Sequence, residues 1–116
     1  MWGKHLLLDA SKCCNHAIRN KHIIDSFART LVRKIDMVAY GEPQIHHFGL
    51  GDKKGYTLVQ LIQTSNITAH FCEESNDMYL DVFSCKEFKP EDVEAVVNEY
   101  FKPNTYKSRM IIRPVE

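Results

Sequence analysis

The segment Thr64–Cys85, TSNITAHFCEESNDMYLDVFSC, decides the fold of this chain. It contains a polar turn with Ser65, a strand with His70, a second polar turn and a strand that ends in Cys85. Two antiparallel strands joined by the turn at 74–77 place the end of the second strand beside the start of the first. We therefore expect Cys85 to lie near Ser65, so that a serine, a histidine and a cysteine meet in space.

The rest of the chain predicts two helices and four further strands around this segment. Apolar residues recur at three- and four-residue intervals over 21–35 and over 90–101, as on amphipathic helices. Pro90 suits the first helical position, and Pro103-Asn104 ends the second helix. The extended segments are 5–9, 44–48, 56–63 and 106–113. This order of elements predicts an α+β fold, a two-layer α/β sandwich with a largely antiparallel sheet.

Length and composition restrict the classes of protein to which the chain can belong. Its 116 residues form one predicted domain over 1–116, without a repeat or a linker. Fifteen basic and fifteen acidic residues balance, so we expect no nucleic-acid partner and no anionic membrane partner. No apolar run is long enough to span a membrane, and a cytoplasmic location is expected. The four cysteines lack the spacing of a disulfide framework and are expected to be reduced.

Three short motifs follow one another at fixed spacing: Thr64-Ser65-Asn66, then HFCEE over 70–74, then DVFSC over 81–85. In these motifs the chain resembles the pyruvoyl-dependent S-adenosylmethionine decarboxylases of the short prokaryotic type. That family has Glu-Ser-His, His-Thr-Trp-Pro-Glu and Asp-hydrophobic-Phe-Thr-Cys, with the same distances from serine to histidine and to cysteine.

The resemblance extends to the flanks of the segment and has specific departures. GKHL over 3–6 is similar to the family's opening strand, and His47-Phe48 is similar to its His/Arg-Phe segment before a glycine-rich turn. The chain departs from the family motifs at Thr64, at Asn66 and at Cys72-Glu73. Thr64 replaces a carboxylate, and Asn66 replaces an imidazole, on either side of the serine.

The resemblance implies a self-processing decarboxylase with a covalent pyruvoyl cofactor. Loss of carbon dioxide from an amino acid leaves a carbanion, and no natural side chain supplies the electron sink that this requires. By analogy, Ser65 attacks the Thr64 carbonyl, the chain is cleaved between 64 and 65, and residue 65 becomes the pyruvoyl group. Its ketone is expected to form a Schiff base with S-adenosylmethionine. The product is decarboxylated S-adenosylmethionine for polyamine (spermidine) biosynthesis.

The resemblance also assigns roles to five further positions. His70 matches the processing base, and Thr57 falls at a processing hydroxyl. Cys85 matches the proton donor of turnover, and a thiol suits this role because its pKa responds strongly to its environment. Glu74 matches the glutamate that binds the ribose hydroxyls, and Phe48 corresponds to the aromatic that stacks on adenine.

Two protomers of the family stack their sheets face to face in a four-layer αββα dimer, so a homodimer of cleaved protomers is expected here. Strands with apolar residues on both faces independently favour a sheet that is covered on both sides. No metal is predicted, because His46 and His47 are strand neighbours and point to opposite faces.

Two alternatives remain open from the sequence. One is a pyruvoyl-dependent decarboxylase of the same fold that acts on ornithine or arginine. The other is an uncleaved, catalytically inactive regulatory subunit, which the loss of the acidic residue at Thr64 favours.

Overall fold

A computed structural model describes residues 2–114 and shows an α+β fold with one sheet and three helices. The predicted helices and strands are all present. The strands are β1 (Trp2–Ser11), β2 (Gln44–Phe48), β3 (Gly55–Ile62), β4 (Ser65–Cys72), β5 (Asp77–Ser84) and β6 (Thr105–Pro114). The helices are α1 (Asn15–Ile18), α2 (Lys21–Lys34) and α3 (Pro90–Phe101).

The six strands form one sheet in the order β2-β3-β4-β5-β1-β6, and every neighbouring pair is antiparallel. The segment Thr64–Cys85 forms β4 and β5, which lie side by side in the interior of the sheet. Ser65 is paired with Ser84, and Cys72 is paired with Asp77. The α+β prediction with a largely antiparallel sheet is therefore confirmed.

The helices cover one face of the sheet and enclose a single apolar core. Alternate residues of the strands are buried against α2 and α3, including Leu8, Leu58, Ala69 and Leu80. Helix α2 begins at an N-cap in which the Asn20 side chain accepts a hydrogen bond from the Ile23 amide. Helix α3 begins with Pro90 and ends at Lys102 in the left-handed conformation, with φ of 44°. These features determine where α2 begins and where α3 begins and ends.

The opposite face, which we call the open face, carries no helix in the described part of the chain. It presents a mixture of polar, aromatic and aliphatic side chains, most of them partly exposed. They include Leu7 and His5 of β1, Val59 of β3 and Tyr79 of β5, which is 45% exposed. A charged, fully solvated face would lack the apolar members. The composition thus fits the expectation that something packs here.

The start of β4 differs from the prediction, and two short helical elements were not predicted. Ser65 is not inside the polar turn, because the turn occupies 63–64 and Ser65 is the first residue of β4. The short helix α1 and a 3₁₀ turn at Gly51–Lys53 were not predicted, because segments of four and three residues are too short to show a helical period. In the described residues, no helix is long and apolar enough to cross a membrane.

Candidate active site

The first half of the candidate site lies where β4 begins, at Thr64 and Ser65. The antiparallel register places this point beside the end of β5, so Cys85 returns to it as expected. Ser65 has a φ of 153°, a backbone conformation that residues with a side chain rarely adopt. Such strain costs on the order of 1–3 kcal/mol and persists only where the surrounding structure enforces it. Cleavage of the preceding peptide bond would release it.

The Thr64 carbonyl, which precedes Ser65, accepts a hydrogen bond from the Cys85 main-chain amide at 3.2 Å. An amide that donates to a carbonyl oxygen also stabilises the negative charge that develops there during nucleophilic attack. The Cys85 thiol itself is exposed and free. The end of β5 therefore supplies a main-chain donor and a thiol at the same place.

Side chains on either side fix the geometry of this half of the site. The Ser84 hydroxyl is fully buried, and it donates to the Thr64 hydroxyl at 2.7 Å. The Asn66 side-chain amide donates to the Ser65 hydroxyl oxygen at 3.2 Å. Asn66 leaves the Ser65 proton free to be given to a base. Thr64 and Asn66, the two departures from the family motifs that flank Ser65, thus both make local hydrogen bonds.

The second half of the site lies towards the other end of β4 and contains His70 and Thr57. These two residues are cross-strand partners, and the Thr57 hydroxyl lies 2.7 Å from Nδ1 of His70. The main-chain carbonyl of Lys53 lies 3.2 Å from Nε2 of the same ring. Phe48, which is 56% exposed, has its ring centroid 6.5 Å from that of His70. The structure thus brings Thr57, His70 and Phe48 together in this half of the site.

The structure does not bring His70 to Ser65 within one chain. The two residues are separated by five positions of continuous strand, which at roughly 3.3 Å per residue is about 16 Å. The expectation that serine, histidine and cysteine meet within one chain is therefore wrong for the histidine. The reason is that β4 begins at Ser65 itself, so that the whole segment from Ser65 to His70 is extended.

Glu74, the expected ribose ligand, is exposed in the turn between β4 and β5. Its neighbour Glu73 is the one that makes a hydrogen bond, with Oε2 at 2.6 Å from Nε2 of His47. The His47 ring in turn lies edge-on to Tyr56, with centroids 4.8 Å apart. Because Glu73 contacts His47 on the edge strand β2, Glu74 is the carboxylate that remains accessible to a ligand.

The thiols differ in burial across the described residues. Burial raises the pKa of Cys13 to about 12, and the charge of Asp77 adds to the effect. Burial, followed by Asp77, also raises the pKa of Cys72. Cys13 is buried and Cys72 is partly buried, whereas Cys85 is exposed. Within residues 2–114, no group of three or more side chains could hold a metal ion.

Sequence reasoning missed three groups of this site. The Cys85 amide and the Lys53 carbonyl are main-chain atoms, which no residue pattern reveals. Ser84 lies inside the quoted DVFSC motif, so its position was known, but only the register of β4 and β5 shows that it supports Thr64.

Comparison with known proteins identifies the family. Residues 4–114 match the family model described as S-adenosylmethionine decarboxylase. No curated protein matches the chain significantly. Among solved structures, the chain is similar to the adenosylmethionine decarboxylase from Aquifex aeolicus VF5, with 19% sequence identity and a TM-score of 0.81. The similarity covers 98% of this chain and 92% of that one. The family match supports a decarboxylase role, and the chain belongs to the S-adenosylmethionine decarboxylase family.

Proposed function

We propose that this chain is a self-processing, pyruvoyl-dependent S-adenosylmethionine decarboxylase that cleaves itself between Thr64 and Ser65. Its product is decarboxylated S-adenosylmethionine, the aminopropyl donor for spermidine. The observation that carries the proposal is the hydrogen bond from the Cys85 amide to the Thr64 carbonyl, next to a serine with a φ of 153°.

Processing requires the Ser65 oxygen to attack the carbonyl carbon immediately before it. Oγ forms a bond to the Thr64 carbonyl carbon, the peptide C–N bond breaks, and the amide becomes an ester. The Cys85 amide stabilises the oxyanion that forms in between. A base then removes the α-proton of residue 65, and the Thr64 carboxylate leaves from Cβ. Hydrolysis of the resulting dehydroalanine releases ammonia and leaves the pyruvoyl group.

The residues around position 65 fit this group. A pyruvoyl group supplies an electron sink that is conjugated to the amine of a bound substrate. Cys85 lies at the same strand end with an exposed thiol, where it can deliver a proton to the substrate. Phe48 and Glu74 are exposed and free to receive an aromatic base and a diol, respectively.

The proposal includes a homodimer, because one chain does not place His70 beside Ser65. The open face offers the surface for it, with aromatic and aliphatic side chains among polar ones. A second copy packed on this face would bring its own Thr57 and His70 to the Ser65 of the first. The base that one chain lacks is then supplied by the other.

The first experiment is the intact mass of the purified protein under denaturing conditions. Two fragments that meet at Thr64 and Ser65, with a keto-blocked second fragment, are the expected result. Ser65→Ala should remain full length and inactive. Its matched control is Ser75→Ala, which changes an exposed serine in the turn between β4 and β5 and should cleave normally.

The alternatives have distinct outcomes in the same assays. A wild-type chain that remains full length on long incubation would overturn the proposal and favour the regulatory subunit. A cleaved protein that releases carbon dioxide from ornithine or arginine, and none from S-adenosylmethionine, would keep the processing and overturn the substrate. A normally active Ser65→Ala protein would rule out a pyruvoyl group derived from this serine.

A further inference from the structure

The loop between β2 and β3 folds against the His70 ring. It contains the 3₁₀ turn Gly51–Lys53, and the carbonyl of Lys53 faces Nε2 of His70 at 3.2 Å. The other ring nitrogen, Nδ1, faces the Thr57 hydroxyl at 2.7 Å. Both nitrogens of the predicted base are therefore engaged.

These contacts determine which nitrogen carries the proton. A carbonyl oxygen has no hydrogen to give, so its partner Nε2 must be the N–H that donates. In the neutral ring Nδ1 is then the acceptor, and the Thr57 hydroxyl donates to it. The nitrogen that can take up a proton thus lies on the Thr57 side of the ring.

The loop depends on glycines for this contact. Gly49 has a φ of 100°, and a Cβ built there would overlap the carbonyl of Lys53. Gly41, which lies outside the loop, has a φ of 76°, and a Cβ built there would meet no atom within 4 Å. Alanine is disfavoured by the backbone at both positions, but only at Gly49 does it displace the Lys53 carbonyl.

We propose that the Gly49–Gly55 loop positions the processing base: the Lys53 carbonyl holds His70 as the Nε2–H tautomer, so that Nδ1, acting through the Thr57 hydroxyl, is the basic atom. During processing the Thr57 hydroxyl gives its proton to Nδ1 as its oxygen takes one from Ser65 of the other copy in the proposed dimer. The resulting imidazolium still donates from Nε2 to Lys53. The inference rests on the proposed function, but the tautomer is a property of the uncleaved chain.

The test is ¹⁵N NMR of the His70 ring in a Ser65→Ala protein, which stays intact whatever the function. The signal is assigned by its absence in Ser65→Ala/His70→Gln. We expect the neutral ring to carry its proton on Nε2, as reported by the ¹⁵N chemical shifts of the two ring nitrogens. Gly49→Ala in the same background should raise the share of the Nδ1–H tautomer, and Gly41→Ala should keep the ratio of the parent. A ring proton on Nδ1, or a Gly49→Ala spectrum equal to that of the parent, would overturn the inference.

The rate of self-cleavage, measured in the chain that retains Ser65, tests whether the loop positions the base. Gly49→Ala should slow self-cleavage by up to about 100-fold, because a small misplacement of a catalytic group has effects of this size. Gly41→Ala should cleave at the parent rate. Equal rates for the two variants would contradict the positioning role. If no variant cleaves, the proposed function fails, whereas the NMR result on the tautomer still stands.

Discussion

The two ends of β4 are built in different ways, although one continuous strand joins them. At its start, Ser65 has a strained backbone, and the preceding carbonyl is held by the end of β5. Further along the strand, His70 is held between Thr57 of β3 and the loop that follows β2. In the proposed reaction, the first end supplies the nucleophile and the carbonyl that it attacks, and the second supplies the base.

Each half of the site is chemically incomplete alone. An acyl shift at Ser65 needs a proton acceptor, and the described side chain that contacts its hydroxyl is an amide donor, Asn66. His70 can accept a proton at Nδ1. The hydroxyl beside it belongs to Thr57, which lies inside β3 and not next to the peptide bond that is cleaved. A two-fold pairing of open faces buries the same patch on both copies and can join each half to its complement. The separation along β4 thus favours an assembly in which two chains share each site.

The largest expected effect is rescue between two inactive chains. Ser65→Ala lacks the nucleophile, and His70→Ala lacks the base, which typically accounts for about 10²–10⁴ in rate. Expressed alone, neither should cleave appreciably. Expressed together, they should form mixed dimers in which Ser65 of one chain meets His70 of the other. The measurement is the appearance of cleavage fragments derived from the His70→Ala chain.

Two controls make the rescue specific. His22→Ala, which removes an exposed histidine of α2, should cleave alone and need no partner. Co-expression of Ser65→Ala with a double variant, Ser65→Ala/His70→Ala, should give no fragments. An absence of rescue in a preparation shown to contain mixed dimers would mean that each chain completes its own site by a movement of β4.

The second prediction separates the main-chain amide of Cys85 from its thiol. Cys85→Ala keeps the amide and should cleave, but it should turn over poorly for want of the proton donor. Cys85→Pro removes the amide, and loss of one oxyanion donor costs about 10²–10³ in rate. The measurement is the rate of fragment formation for both variants, after circular dichroism has shown an intact sheet. Equal cleavage rates would remove the amide from the mechanism.

The fold was predictable from the sequence because each element carries its own pattern. The helices α2 and α3 have apolar stripes of the correct period and clear ends, such as Pro90. The strands β4 and β5 are joined by a short polar turn, which fixes their pairing. The open face was also foreseen, because apolar residues on both sides of the strands require two coverings.

The site was only partly predictable, for a geometric reason. The motif spacing correctly placed Cys85 beside Ser65, because the β4–β5 turn sets that register. The same spacing did not predict the distance from Ser65 to His70, because a motif gives positions in the sequence and not the distance between them in space. The contact between the Lys53 carbonyl and the His70 ring depends on a loop conformation that three glycines permit. The sequence shows only that the loop is flexible.

The smallest expected effect concerns the buried support beneath the first half of the site. The Ser84 hydroxyl donates to the Thr64 hydroxyl and accepts from the Lys86 amide at 3.0 Å. Ser84→Ala leaves both groups without this partner, which typically costs about 1–3 kcal/mol in the free energy of unfolding.

This cost can be measured by urea unfolding in a Ser65→Ala background, which keeps the chain intact for every variant. Ser75→Ala, in the exposed turn, is the matched control and should unfold at the parent midpoint. Because Ser84 contacts the Thr64 side chain but not its carbonyl, Ser84→Ala should slow cleavage much less than Cys85→Pro. A Ser84→Ala chain that cleaves as slowly as Cys85→Pro would show that side-chain support, and not the main-chain donor, limits the first half of the site.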